Sequence, residues 1–221
     1  NIVNTINDNS ASMLKIIVKI IFFISIISFS QAKQVVNFPI PEIINYPPEV
    51  NGGFTSNWGI TEGPNGKLYF ANNYGVLVYD GKTWNNIILD NNDPARSIAT
   101  DKLGNIIVGS RGNFGFLSND GNGDPIYKSL NKYLYNKNYK NRDIIYETFP
   151  LINGEIFFRS LNNLFFYKDK KIKVIKKINK KKFGVSRLIN DEIFIAIIGD
   201  SIAIINDHKI IKIKNSEIFK N

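Results

Sequence analysis

From Phe38 onward, apolar and polar positions alternate in runs of four to seven residues, broken by Gly, Asn and Asp, and no amphipathic helical period of useful length appears. Period-two alternation bounded by turn residues predicts short half-buried strands. Four runs share one pattern, a turn followed by an apolar strand: Asn65-Gly66-Lys67-Leu68-Tyr69-Phe70, Leu103-Gly104-Asn105-Ile106-Ile107-Val108, Asn153-Gly154-Glu155-Ile156-Phe157-Phe158 and Asn190-Asp191-Glu192-Ile193-Phe194-Ile195. Their anchors, Gly66, Gly104, Gly154 and Asp191, are 38, 50 and 37 residues apart. A period near 40 with about four short strands per unit is the signature of β-propeller blades. The expected fold is therefore all-β, with blades over about 58–89, 96–130, 144–177 and 183–214.

Within the first unit, strands are predicted over 58–62, 67–71, 76–79 and 83–89, with tight turns at Gly63-Pro-Asn-Gly66 and Asp80-Gly81. The extra residues of the 50-residue spacing fall in the polar stretch 131–142, which reads as a long surface loop. A ring needs its last blade to close on its first, and the repeats show no closure. The expected propeller is therefore larger, with about four of its blades in the region 58–221, and the face of the fourth (Phe194, Ile195, Ile202, Ile204, Ile205) is expected to be open.

The N-terminal region breaks this pattern. After Met13 come Lys15 and Lys19, an apolar run from Ile20 to Phe29, and the small residues Ser30 and Ala32, which is the layout of a signal peptide over 13–32, either cleaved after Ala32 or, given the added stretch Ile16 to Val18, kept as an uncleaved N-terminal anchor. About ten uninterrupted apolar residues are too few to span a bilayer comfortably. Residues 1–12, polar and without an initiator, read as an upstream extension, and 33–57 as a Pro-rich lead-in. The expected location is outside the cytoplasm.

Composition then narrows the chemistry. Among 221 residues there is no Cys and one His, His208, which excludes thiolate nucleophiles, Cys-type zinc sites and His-cluster metal sites. No cofactor and no metal site are expected, since no Asp-x-Asp-x-Asp run exists for calcium. The net charge of +9 is concentrated in residues 168–182, where nine Lys face one Asp. Without interleaved aromatics or Arg, that run reads as a solvated edge strand and loop, and nucleic acid is not an expected partner. Glu62 and Asp101 recur at the same turn of neighbouring units instead of converging on one bond, so no catalytic residues are assigned. His208, flanked by Asp207 and Lys209, is expected at the surface.

Trp58-Gly-Ile, Asn65-Gly-Lys-Leu-Tyr-Phe, Asn73-Tyr-Gly-Val, Tyr79-Asp-Gly-Lys-Thr-Trp84, Arg96-Ser-Ile-Ala and Gly112-Asn-Phe-Gly115 resemble the repeats of the two-component-regulator propeller family. The likeness covers 58–130 well and 144–214 by pattern only. It implies an exported, non-catalytic sensor region of a membrane-spanning regulator, periplasmic and tethered to the inner membrane only through sequence further downstream. The expected partner is a polar small molecule or glycan, or another extracytoplasmic protein, with a homodimer of the full protein as a further expectation. The competing expectations are a secreted propeller enzyme acting on polysaccharide and a surface adhesion propeller.

If each unit is a blade, the loops between second and third strands share one rim with the starts of the inner strands. That rim collects Asn72, Asn73, Tyr74, Arg111, Asn113, Arg159 and Asn162, and the inner-strand column Trp58, Arg96, Tyr146 and Phe183 adds Arg96. Aromatic rings beside Arg and Asn donors suit a carbohydrate or other polar organic ligand, but Trp58, Tyr146 and Phe183 are themselves expected to be blade-to-blade packing, which leaves the Arg and Asn side chains as the candidates. Trp84 and Asp80 are expected to be structural, the former between sheets and the latter shaping its turn.

Overall fold

The computed structural model describes residues 13–22, 41–119, 121, 125–134, 143–177 and 179–219. The chain divides into two compact units, 1–44 and 45–221. In the first, residues 13–22 are helical, and no described helix is long and apolar enough to cross a membrane. The expected extension 1–12 and the second half of the expected signal peptide, 23–32, lie outside the described residues.

The described residues of the second unit form sixteen strands in four antiparallel meanders. The first sheet comprises β1 (Asn57–Glu62), β2 (Leu68–Asn72), β3 (Gly75–Tyr79) and β4 (Trp84–Ile87). The second comprises β5 (Ala95–Thr100), β6 (Ile106–Ser110), β7 (Phe114–Asn119) and β8 (Pro125–Ser129). The third comprises β9 (Glu147–Pro150), β10 (Ile156–Arg159), β11 (Asn163–Lys168) and β12 (Lys171–Lys176). The fourth comprises β13 (Phe183–Ile189), β14 (Glu192–Ile197), β15 (Ile202–Asn206) and β16 (Lys209–Lys212). These are the blades of a β-propeller.

Turn chemistry explains why the four units share one pattern. All four anchors take left-handed backbone, with φ of 72°, 83°, 81° and 64° at Gly66, Gly104, Gly154 and Asp191. Asp169-Lys170, Asn190-Asp191 and Asp207-His208 place two successive residues at positive φ, the two-residue hairpin geometry that matches strand twist. Of the expected loop 131–142, residues 131–133 form a 3-10 turn and Leu134 is buried; 135–142 lie outside the described residues.

Alternation along each strand sends neighbouring residues to opposite cores. Ile106 and Val108 pack with Ala71, Val76 and Val78 of the first blade. Ile107 instead joins Phe114, Ile145, Ile156, Phe158 and Phe165 between the second and third blades. Phe157 turns the other way, toward Phe183, Ile193, Ile195 and Ile205 of the fourth. Burial of each such side chain contributes roughly 1.5–3 kcal/mol, so three inter-blade cores hold the array together. Ile195 and Ile205 therefore belong to the core against the third blade and not to an open face; Phe194, Ile202 and Ile204 are half-buried.

The inner strands run side by side in parallel, stitched by hydroxyl and carboxylate contacts. Thr61 Oγ1 lies 2.8 Å from Thr100 Oγ1, and Ser97 Oγ 2.7 Å from Thr148 Oγ1. Between the last two blades, Ser186 N donates to Glu147 Oε2 at 2.8 Å. These links keep the starts of all four inner strands on one rim. On the free side of the first sheet, the lead-in packs Tyr46 against Tyr79 and Trp84, at 5.4 and 5.3 Å between centroids. Trp84 thus joins a ring cluster with Tyr46, Phe70 and Tyr79 on that face, and does not sit between sheets.

Candidate functional site

The rim formed by the β2–β3, β6–β7 and β10–β11 turns and the starts of the inner strands sorts its residues into two groups. Asn72, fully buried, is a clamp: its side-chain amide donates to Phe54 O, Ser56 O and Asn57 Oδ1, and its Oδ1 accepts from Phe54 N and Tyr74 N. Asn113 is also buried, donating to Asp90 Oδ2 at 3.0 Å and accepting from Ser129 Oγ at 2.7 Å. A side chain whose polar atoms are all engaged inside the fold has little left for a ligand.

Arg159 departs most from the expectation of an exposed rim cation. It is 5% exposed, its Nε donates to Glu147 Oε2 at 2.6 Å, and its Nη1 donates to Phe183 O at 3.3 Å. The cause is register: Arg159 pairs directly with Glu147 across β9 and β10, so the guanidinium meets a carboxylate before it meets solvent. Glu147 also accepts from Ser186 Oγ and Arg187 Nη1, which makes it the acceptor joining the third and fourth blades. Sequence reasoning missed Glu147. Its signal was a lone carboxylate in the apolar run Ile144-Ile-Tyr-Glu-Thr-Phe, seven residues before the anchor, where the second unit has Ser97.

The second group faces outward at the first two blades. Trp58, half exposed, carries the Arg96 guanidinium 3.6 Å above its ring, a close cation–π stack. Its indole Nε1 donates to Asn73 Oδ1 at 2.8 Å, which fixes the ring plane. Tyr74, 46% exposed, meets Phe54 edge-on at 5.5 Å. Phe54, from the lead-in, was not among the expected residues. Arg111 is exposed, and its positive charge partly offsets the burial that raises the Asp93 carboxyl above its ordinary value. Asn162 is half-buried, donating to Asp143 Oδ1 at 2.9 Å and accepting from Lys177 Nζ at 3.3 Å. The structure thus brings Asn73, Tyr74 and Arg96 together around Trp58, and places Arg111 and Asn162 further along the same rim on the second and third blades.

Chemically, the stack pre-orients a planar five-donor group beside an exposed indole. No ion pair or hydrogen bond to the Arg96 guanidinium occurs among the described residues. Such an arrangement offers a sugar ring or another flat polar group one apolar surface and fixed donors.

The opposite rim is cleft instead of aromatic. Gaps of about 420, 360 and 320 Å³ open between the third and fourth, second and third, and first and second blades. Because one recurs at each blade junction, they follow from blade packing and mark no single site. The largest contains His208, whose Nε2 lies 3.0 Å from Glu155 Oε1 and whose ring stands edge-on to Phe166 at 4.6 Å. His208 is 18% exposed, so it ties the fourth blade to the third and is not the solvated surface residue its flanking charges suggest. Among the described residues no group of His, Asp and Glu has metal-ligand geometry.

No protein-family model and no curated protein sequence matches the chain. Solved structures do. Virginiamycin B lyase from Staphylococcus aureus is similar over 78% of this chain and 60% of its own, at 16% identity and a TM-score of 0.57. The extracellular domain of BT4673 from B. thetaiotaomicron, assigned as a one-component system, is similar over 73% of this chain and 24% of its own, at 16% identity and a TM-score of 0.53. The extracellular domain of the hybrid two-component system protein BT3049 from the same organism is similar over 67% of this chain and 21% of its own, at 18% identity and a TM-score of 0.50. The chain therefore spans 60% of the lyase and under a quarter of the two extracellular domains. At these identities the likeness shows the fold, and that fold is the β-propeller.

Proposed function

We propose that this propeller is an exported, non-catalytic ligand-sensing or protein-interaction region of a bacterial regulator, periplasmic and tethered to the inner membrane in the full-length protein. The observation that carries the reading is the exposed Trp58–Arg96 stack held by Asn73, because neither its exposure nor its free donors are needed to fold the blades. The resemblance of residues 58–130 to regulator repeats and the extracellular regulator domains among the similar structures support it. The ligand is a polar small molecule or glycan, with another extracytoplasmic protein as the second candidate. Titration of glycans against the intrinsic fluorescence of a Trp84→Phe variant tests it, since Trp58 is then the sole indole. Saturable change abolished by Arg96→Ala is the expected result, and a silent Trp58 across neutral and acidic glycans would refute it.

A second reading, a secreted propeller enzyme acting on polysaccharide, is favoured by the His208–Glu155 pair, which sets one junction apart from clefts that otherwise recur between blades, and by the likeness to a lyase. Appearance of new reducing or unsaturated ends, lost in His208→Ala, would establish it in place of the sensor.

A further inference from the structure

The lysine run 168–182 is continuous in sequence and divided in space. Strand β12 carries it from one rim to the other, about 20 Å at 3.3 Å per residue. Lys168, Lys170 and Lys171 stay at the cleft rim, where Glu155, Asp191, Glu192 and Asp207 oppose them in sign. Lys176, Lys177, Lys180, Lys181 and Lys182 emerge at the rim that bears Trp58 and Arg96. There Lys212 and Lys214, arriving from β16 on the next blade, join them. Asp200 binds the two sources together, with Lys181 Nζ at 3.0 Å from Oδ1 and Lys212 Nζ at 2.5 Å from Oδ2. Both ammonium groups hold the Asp200 carboxyl down to about 2. Lys177 reaches Asn162 of the same rim. Seven lysines from two neighbouring blades thus form a band, six of them exposed, with Asp200 bridging two of them and Asp143 engaged with Ser160, Asn162 and Asn163.

We infer that this band docks a linear acidic polysaccharide, one bearing a carboxylate or sulfate on successive sugars. The inference rests on the reading of this rim as the ligand-bearing one and names the chemistry of that ligand. Three features favour a polymer over a small anion. The charges are spread along the rim over two blades instead of converging on one point; most of the ammonium groups are exposed and form no ion pair among the described residues, as suits a partner held by counter-ion release; and the band shares its rim with the exposed indole of Trp58, a platform for sugar rings.

The test uses the full chain with polygalacturonate as the acidic probe, dextran as the neutral one and phosphatidylglycerol vesicles as the lipid one. Lys176→Gln/Lys182→Gln/Lys214→Gln removes three band charges that hold no carboxylate, while Lys170→Gln/Lys171→Gln/Lys209→Gln removes three from the other rim. The expected result is polygalacturonate affinity that falls steeply with salt, drops tenfold or more in the first variant and less than twofold in the second. Equal losses in both variants, or lysine-dependent binding of vesicles with none of polygalacturonate, would overturn the inference. Dextran binding lost in Trp58→Ala, with no preference for polygalacturonate, would overturn the acidic ligand alone. No binding of either polysaccharide would overturn the ligand-bearing rim itself.

Discussion

Replacing Glu147 by Ala tests whether the inner strands are joined by charge or only by proximity. In the folded chain this carboxylate receives Arg159 Nε at 2.6 Å and Ser186 N at 2.8 Å, with Arg159 only 5% and Glu147 15% exposed. Truncation leaves a guanidinium buried with one long bond to Phe183 O, and an inner-strand amide of the fourth blade without its acceptor. Stranding one partner of a buried pair costs about 3–5 kcal/mol, and losing the amide bond adds roughly 1. Because Glu147 retains some water contact, the lower end applies, and a loss of about 3–4 kcal/mol is expected. Urea unfolding of the chain reads it as a lower midpoint with unchanged slope. Glu147→Leu/Arg159→Met removes both charges and should recover most of the loss, since apolar groups of similar volume fill the site without desolvation. A Glu147→Ala variant within about 1 kcal/mol of the parent would refute the reasoning and make the pair a solvent-screened contact.

Other consequences follow from single positions. Gly75 has φ of 115°, and a Cβ there would lie 2.3 Å from the Ile87 carbonyl oxygen, so Gly75→Ala should destabilise the first blade by at least about 2 kcal/mol in the same assay. Hydrogen bonds from the Thr83 amide and hydroxyl and the Lys82 amide lower the Asp80 carboxyl to about 2. A depressed carboxylate stabilises above its unfolded value near 3.8 and loses that contribution as pH falls toward 2. The melting-temperature deficit of Asp80→Asn should therefore be full at pH 6 and shrink below pH 4; a deficit independent of pH would contradict the assignment. Trp84→Phe should cost little stability, because the indole Nε1 is buried without a hydrogen-bond partner, whereas Trp84→Ala should cost about 3 kcal/mol by emptying the ring cluster on the first blade.

The blades were legible because turn and strand chemistry are local. Gly66, Gly104 and Gly154 announce the left-handed turn directly, and Asp191 takes the same backbone without being glycine. The rim as a shared location was legible for the same reason, since second-to-third-strand turns must recur on one side of every blade. Which rim residues remain free was not. Asn72 and Asn73 are neighbours of identical chemistry, and only the approach of Phe54 and Ser56 from the lead-in decides that the first is a clamp and the second meets Trp58. Arg111 and Arg159 lie on opposite sides of their turn serines: Arg159 is the last residue of β10, where it pairs across the sheet with Glu147 and is buried, while Arg111 follows Ser110 past the end of β6 and is exposed. His208 was misjudged for a similar reason: its flanking charges point to solvent, while Glu155 and Phe166 of the neighbouring blade enclose it. Sequence separations of 12 to 53 residues carry these contacts, and no local pattern encodes them.

The most direct test of the central claim, that the Trp58 rim bears the ligand, is the emission of Trp58 in the Trp84→Phe chain during titration with an oligosaccharide that binds. The account predicts a saturable spectral change with the same midpoint as calorimetric binding, and loss of both in Arg96→Ala with the urea midpoint retained. Binding by calorimetry that leaves Trp58 emission unchanged and survives Arg96→Ala would contradict it and move recognition to the clefts of the opposite rim.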